Sequence, residues 1–350
     1  MRPCGVYNTR YEQEIAIVRT AWQWFLLIAC LLASFLIPYF LLGGHILSVL
    51  IVIGITIIVM QGLNILLGYC GQISLGQVAF MAVGAYSSGI LAERFHFPFL
   101  AALISSGIIT ALFGLIFGLP SLRVKGFYLA ITTLAAHFII IWGITHGGSL
   151  TREIYGITLP TPSIAGWTLD TDKEFYIFTV ALVWIMTMMA KNIVRTNIGR
   201  AFVAIRDNDI AAEVMGINVF RYKLLAFFIC SFYAGIGGSL WAYYTLSIHP
   251  EQFPLMDSIW YLGFLVVGGM GSIMGPVFGS IVWRGLKEGV SSLVPVFSQI
   301  FPGFSANLYS GLSLIIYALV IILFLIYEPR GINHRWTIFK AYYRLWPFSY

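Results

Sequence analysis

"HILSVLIVIGITIIVMQGLNILLGYCGQISLGQVAFMAVGAYSSGILA", His45 to Ala92, contains no Asp, Glu, Lys or Arg. The uncharged interval is longer still, because none of the four occurs between Arg19 and Glu93. A helix crossing a bilayer needs about 20 apolar residues, so this interval alone has room for about three crossings. A soluble domain could not keep so long a stretch uncharged and stay in solution. The whole chain agrees: of 350 residues, 59% are hydrophobic and only 10% are charged, with mean hydropathy +0.88. A soluble globular domain carries roughly 25% charged residues. The fold class is all-α, a polytopic integral membrane helical bundle.

Working outward, apolar stretches predict spans near 21–42, 46–67, 73–92, 98–121, 126–145, 174–190, 224–246, 256–270, 274–294 and 305–327. That is about ten transmembrane helices, some of them Gly-rich and interrupted. Basic residues favour the cytoplasmic side. The N-terminal arm 1–20, the 122–125 turn "LRVK", the 191–223 loop and the 328–350 tail with Arg330, Arg335, Lys340 and Arg344 are therefore expected to be cytoplasmic. The 146–174 loop, with Glu153, Asp170, Asp172 and Glu174, is expected to face outward. Both termini then lie inside and 256–294 must cross twice. That puts Arg284, Lys287 and Glu288 toward the outer side or within the bundle. A re-entrant path for "GGMGSIMGPVFG" is the alternative.

Several classes drop out. The N-terminal segment carries Arg2, Arg10 and Arg19 together with Glu12 and Glu14, and its apolar stretch has no cleavage site of secretory type. Cys4, Cys30, Cys70 and Cys230 are scattered, with neither metal-ligand spacing nor a disulfide framework. The net charge of +6 lies in loops and termini, where topology requires it, so it is no nucleic-acid footprint. No pair of carboxylates shares a span, and HExxH, GxSxG and GxxxxGK[ST] are all missing. Catalysis is set aside, and neither a cofactor nor a metal is expected. If ATP drives this protein, another chain binds it.

Two segments carry polar groups or glycines at membrane depth. "GLNILLGYCGQISLGQVAFMAVGAY", Gly62 to Tyr86, brings Asn64, Gln72, Ser74 and Gln77 among five glycines. Such amides and hydroxyls are costly in hydrocarbon unless paired or lining a wet cavity. One reading is a broken span whose polar groups line a translocation path. The other is small-residue packing with polar side chains joining the helices. "VVGGMGSIMGPVFGS", Val266 to Ser280, echoes the first segment, and its glycines and Pro276 argue against a straight helix. Interrupted segments in two halves point to a binding path in transporters. Thr132 and Thr133, within "LRVKGFYLAITTLA", are further path candidates, while His137 reads better as a packing residue.

"IRDNDIAAEVMGIN", Ile205 to Asn218, poses a different question, because it is a capped helix in a charged loop. Asp207, Asn208 and Asp209 offer N-cap oxygens and Gly216 a left-handed stop. About two turns of helix are unstable alone in water. The bundle, the membrane surface or a partner must hold them.

"AAEVMG" resembles the cytoplasmic signature of ABC-importer permeases, Glu-Ala-Ala-x-x-x-Gly, with Ile210 at the Glu position. The likeness extends through "NIGRAFVAIRDNDIAAEVMGINVFRYKLLAFFICSFYAGIGGSLWA", "GYCGQISLGQVAFMAVGAYSSGILA", "LRVKGFYLAITTLA", "LVVGGMGSIMGPVFGS" and "YEPRGI". On these motifs the chain resembles the branched-chain amino-acid importer permeases of LivM type, over most of residues 60–331. "HGGSLTREIYGI", His146 to Ile157, departs from the family by an insertion. The resemblance implies alternating access driven by two cytoplasmic ATP-binding subunits, a second homologous permease and an extracytoplasmic substrate-binding protein. It implies an ATPase contact at Arg206, Asp207, Ala211, Ala212, Glu213 and Gly216. Its setting is a bacterial-type inner membrane. The rivals are a stand-alone secondary transporter or channel for a small polar solute, and a scaffold or membrane enzyme that transports nothing.

Overall fold

Pairing every backbone amide inside a single segment is the simplest way to survive in hydrocarbon, and the apolar stretches do fold as helices. The computed structural model describes residues 21–40, 44–121, 126–153, 155–164, 166–300 and 305–345. The arm 1–20 with Cys4, the "LRVK" turn and residues 346–350 lie outside the described residues. Helices α1 (Ala21–Phe40), α2 (Gly44–Leu63), α3 (Gln77–Phe95), α4 (Phe99–Ser121) and α5 (Phe127–Thr145) follow in order. Then come α6 (Asp172–Arg195), α7 (Asn197–Asp207), α8 (Asp209–Val214), α9 (Val219–Thr245), α10 (Leu255–Gly268), α11 (Gly275–Ile300), α12 (Ser305–Tyr327) and α13 (Ile332–Leu345).

Each expected span thus coincides with a helix, but helices are not all spans. Five among the described residues are long and apolar enough to cross alone: Gly44–Tyr69, Phe99–Pro120, Tyr128–Thr145, Asp172–Arg195 and Val219–Thr245. A sixth joins Ser313–Tyr327 to Ile332–Tyr342 across a 44° bend. The expected ten is not reached by that measure. Helix α10 has only 14 residues. Helix α11 carries Arg284, Lys287 and Glu288. These charges are paired in part: Arg284 meets Glu288 at 2.9 Å, and Glu288 meets His45 at 3.2 Å.

Position in the bundle follows composition. The span Gly44–Tyr69 is 72% buried and Val219–Thr245 is 67% buried, against 17% for Asp172–Arg195. Helix α9 is the axis, packed against α2, α3 and α4. Its "AGIGG" run makes that possible. A Cβ on Gly84 of α3 would collide with the Gly235 backbone, and one on Gly238 with the Met81 carbonyl. A Cβ on Gly62 of α2 would lie 2.8 Å from the Cys230 carbonyl. Lipid tails are as apolar as Leu, so helix association here depends on such close approach.

The two ends of the bundle are built differently. At the end where α9 finishes, short strands Ile157–Thr158 (β1) and Ser247–Ile248 (β4) pair antiparallel, with Ile157 opposite Ile248. Strands Ser163–Ile164 (β2) and Trp167–Thr168 (β3) form a second pair. The 146–171 loop is therefore fastened to the end of α9. Helix α6 then starts at a capping box, in which the Thr171 N–H donates to the Glu174 carboxylate at 3.3 Å. At the other end lie α7, α8 and the start of α9.

Replacing Gly84 with Ala is expected to force α3 and α9 apart and lower the thermal unfolding midpoint in detergent, by about 1–3 kcal/mol of overpacking. Gly285→Ala, at a position with nothing within 4 Å of the added Cβ, is expected to leave the midpoint unchanged or raise it slightly. Equal midpoints for both variants would contradict the close-approach account.

Candidate functional site

The site is built where helices are interrupted. Helix α2 does not stop at Leu63 but runs on as a π-helical turn, Asn64–Tyr69. Residues 70–76 then run without helix until α3 begins at Gln77. The second interruption, 269–274, separates α10 from α11. The fold brings the two breaks into contact: a Cβ on Gly68 would strike the Gly271 backbone.

Asn64 joins them. Its Nδ2 donates to the Ser272 carbonyl at 2.8 Å, and its Oδ1 accepts from the Gly271 N–H at 2.9 Å. The amide is fully buried. Gln77, also fully buried, donates from Nε2 to the Val59 carbonyl at 3.0 Å and accepts from the Cys230 thiol at 3.0 Å. Val59 lies roughly 15 Å along the helix from Tyr69. The 70–76 segment therefore climbs deep into the bundle before α3 starts. The amides around the start of α3 are met by other helices. The Leu75 N–H donates to Thr133 Oγ1 at 2.9 Å, and the Val78 N–H donates to Ser258 Oγ at 3.0 Å.

The six path candidates fall into three groups. Asn64, Ser74, Gln77 and Thr133 are buried at the breaks, with protein partners for their polar atoms. Thr132 bonds within its own helix, to the Leu129 carbonyl at 2.8 Å. Gln72 alone faces an opening, a cavity of about 360 Å³ bounded by Gly71, Arg206, Asp207, Asp209 and Lys223. Two buried groups that sequence reasoning passed over are Gln61 and Ser239, whose side chains have no hydrogen-bond partner among the described residues. His137 is buried, with Nδ1 likewise unpartnered among them.

Arg206 couples this interior to the charged loop. Its guanidinium donates to the Gly68 carbonyl at 2.9 Å and to the Asp207 carboxylate at 3.0 Å. One side chain thus grips the first helix break from the end of α7. A second cavity, about 690 Å³, lies against Arg206 with Gly269, Arg330, Asn333 and His334 on its wall.

Helix α8 stands just beyond. Asn208 is its N-cap, accepting from the Ile210 and Ala211 N–H groups at 3.1 and 3.0 Å. It ends in a Schellman turn. The Ile217 N–H donates to the Ala212 carbonyl at 3.0 Å and the Gly216 N–H to the Glu213 carbonyl at 2.9 Å. Gly216 takes φ +85°, a conformation that favours glycine. Ala212 packs inward, 4% exposed, and Asp209 meets the buried Lys223 ammonium at 3.5 Å. The helix too short to stand alone is thus held by its caps and by the first turn of α9.

The six contact candidates do not share one face. Asp207, Ala211, Glu213 and Gly216 are exposed, Ala212 is buried, and Arg206 is turned toward Gly68. The outward face is completed by Ile210, Val214 and Met215, at 66%, 81% and 81% exposure. Sequence reasoning missed these three, although their i, i+4, i+5 spacing opposite Ala212 was legible.

Comparison with known proteins agrees with this architecture. A family model described as "Branched-chain amino acid transport system / permease component" matches residues 45–325. The high-affinity branched-chain amino acid transport system permease protein LivM of Salmonella typhimurium is 30% identical over 252 residues, 65% of this chain and 59% of the relative. The Escherichia coli K12 LivM gives the same figures. A probable LivM of Methanocaldococcus jannaschii is 23% identical over 331 residues, 81% of this chain and 92% of the relative. The chain thus spans about three fifths of the length of the two enterobacterial relatives. No solved structure matches it. The match over residues 45–325 takes in both helix breaks and α8, and this integral membrane chain belongs to the family of branched-chain amino acid transport permease components.

Proposed function

We propose that this chain is a permease subunit of an ATP-driven importer for branched-chain or related amino acids, and that α8 is where it receives force. The observation that carries the reading is the exposed ridge of Ile210, Val214 and Met215 on a helix whose other side is locked to the bundle. An apolar ridge facing water at the charged end of a membrane protein calls for a partner surface. The names of the relatives support such a partner, because they are permease proteins of a transport system or of an ABC transporter.

In this reading two cytoplasmic ATP-binding subunits, a second permease and an extracytoplasmic binding protein complete the transporter. The chain lies in a bacterial-type inner membrane with both termini, the 191–223 loop and the 328–350 tail in the cytoplasm, and with the 146–174 loop outside. It is not an enzyme, and ATP is hydrolysed in another chain. Arg206, Asp207, Ala211, Ala212, Glu213 and Gly216 form or support the ATPase contact. Movement of α8 reaches the interior by two routes, through Asp209–Lys223 into α9 and through Arg206 into the break at Gly68. ATP drives transport only if it binds one arrangement of the subunits better than the other. Asn64, Gln72, Ser74, Gln77, Thr132 and Thr133 border the segment proposed to rearrange along the path.

A tagged chain extracted in mild detergent from its native membrane is expected to bring down a subunit with a Walker A motif. Met215→Glu is expected to reduce that recovery at least tenfold without changing the amount of chain in the membrane. Recovery of the chain alone, under conditions where control complexes survive, would overturn the importer reading.

Gly216→Val is expected to strain the Schellman turn by about 1–2 kcal/mol and to lower ATP-dependent uptake severalfold while membrane insertion stays normal. Normal uptake in that variant would remove α8 from the coupling route.

A further inference from the structure

A third cavity, about 320 Å³, lies away from the helix breaks, between α2, α3, α10 and α11. It sits at the small end of the roughly 300–1,000 Å³ range of ligand pockets. Its lining is unusual for the interior of a membrane bundle. Asp257, Glu251, Arg284 and Lys287 all stand on its wall, Glu251 at an exposed position. Val52, Ile55, Val78 and Met81 supply an apolar floor.

The charges are only partly neutralised by the protein. Arg284 uses one terminal nitrogen on Glu288, at 2.9 Å, while its buried Nε has no hydrogen-bond partner among the described residues. The Lys287 ammonium lies 5.3 Å from the centre of the Trp283 ring. Asp257 lies near enough to Lys287 to feel its charge. Trp283 is 4% exposed, lines the cavity, and its indole N–H has no partner among them.

Donors buried without partners are costly, and the Arg284 Nε–H and the Trp283 indole N–H are two of them. A carboxylate would satisfy these two donors, and Asp257 and Glu251 on the same wall offer acceptors to an ammonium. A small molecule bearing an ammonium and a carboxylate satisfies both at once, and an aliphatic side chain suits the floor. We propose that this cavity is a binding station for a zwitterionic amino acid, with its carboxylate toward Arg284 and Lys287 and its ammonium toward Asp257 and Glu251. The inference rests on the amino-acid reading above, and it assigns the contact chemistry to residues outside both helix breaks.

The test uses the assembled transporter in proteoliposomes, with labelled L-leucine and saturating binding protein. Leucine uptake that requires ATP in the unaltered complex tests the amino-acid reading itself, and its absence would sink both proposals. Given uptake, Asp257→Asn and Lys287→Met are each expected to lower it at least tenfold with assembly and basal ATP hydrolysis retained, and Lys287→Arg to recover at least half. Uptake within twofold of normal in both loss variants would overturn the cavity proposal and leave the amino-acid reading standing. A measurement without variants guards against misfolding. L-leucine binding to the unaltered full chain in nanodiscs is expected to be at least tenfold tighter than binding of 4-methylpentanoate, which lacks the ammonium, or of 3-methylbutylamine, which lacks the carboxylate. Equal binding of any of the three, or no leucine binding, would also overturn the cavity proposal.

Discussion

The Asn64 carboxamide stands between two interrupted helices that are 208 residues apart in sequence. It donates to one peptide of the second break and accepts from another, so each break supplies what the other lacks. The constraint behind this is severe. Backbone amides inside a membrane protein find no water, and irregular chain is tolerated only where protein or a wet cavity satisfies it. Thr133 and Ser258 answer the same demand where α3 begins, and Arg206 answers it at Gly68. The breaks cannot be placed independently of one another or of the helices that cap them.

Helix α9 depends on that arrangement and extends it. Its first turn holds Lys223 against α8, and its middle touches α2, α3 and α4 through glycines that allow backbone contact. A close-packed element of this kind moves as a body rather than deforming residue by residue. In the proposed coupling, force applied to α8 would reach three other helices at once. Arg206 adds a second, more local connection, from the same loop to a π-helical turn, a form often found at functional sites.

Much of this is legible in the sequence alone. Periodicity was hardly needed, because uninterrupted apolar length told helix from loop at every expected segment. The caps of α8 were legible too, since Asn208 and Gly216 act through chain chemistry within a few residues of themselves. The likeness between "GYCGQISLG" and "VVGGMGSIMG" was visible as a pattern, but its meaning was not. Nothing in either string says that Gly68 and Gly271 touch. For Asn64, Gln77 and Thr133 the choice between path and packing rested on partners far along the chain, and their partners include carbonyls, a thiol and an amide in other helices and in the two breaks. The span count was beyond reach for a related reason: apolar length marks a helix, whereas crossing also depends on where a short helix such as α10 begins.

By itself, then, the sequence determined the solvent this protein lives in, its helical class, the approximate positions of the ten apolar helices, though not of α7 or α13, and the capped turn at Asp209–Val214. These are properties of local composition, set by apolar length and by side chains that bond to their own backbone. Only the tertiary structure decided which face of α8 is free, that Arg206 reaches inward to Gly68, that the two glycine-rich breaks interlock, and that four charged side chains surround one cavity. Each of those is a contact between residues remote in sequence. It depends on how closely helices approach and on which orphaned donors and acceptors meet when they do, and no window of sequence contains both partners.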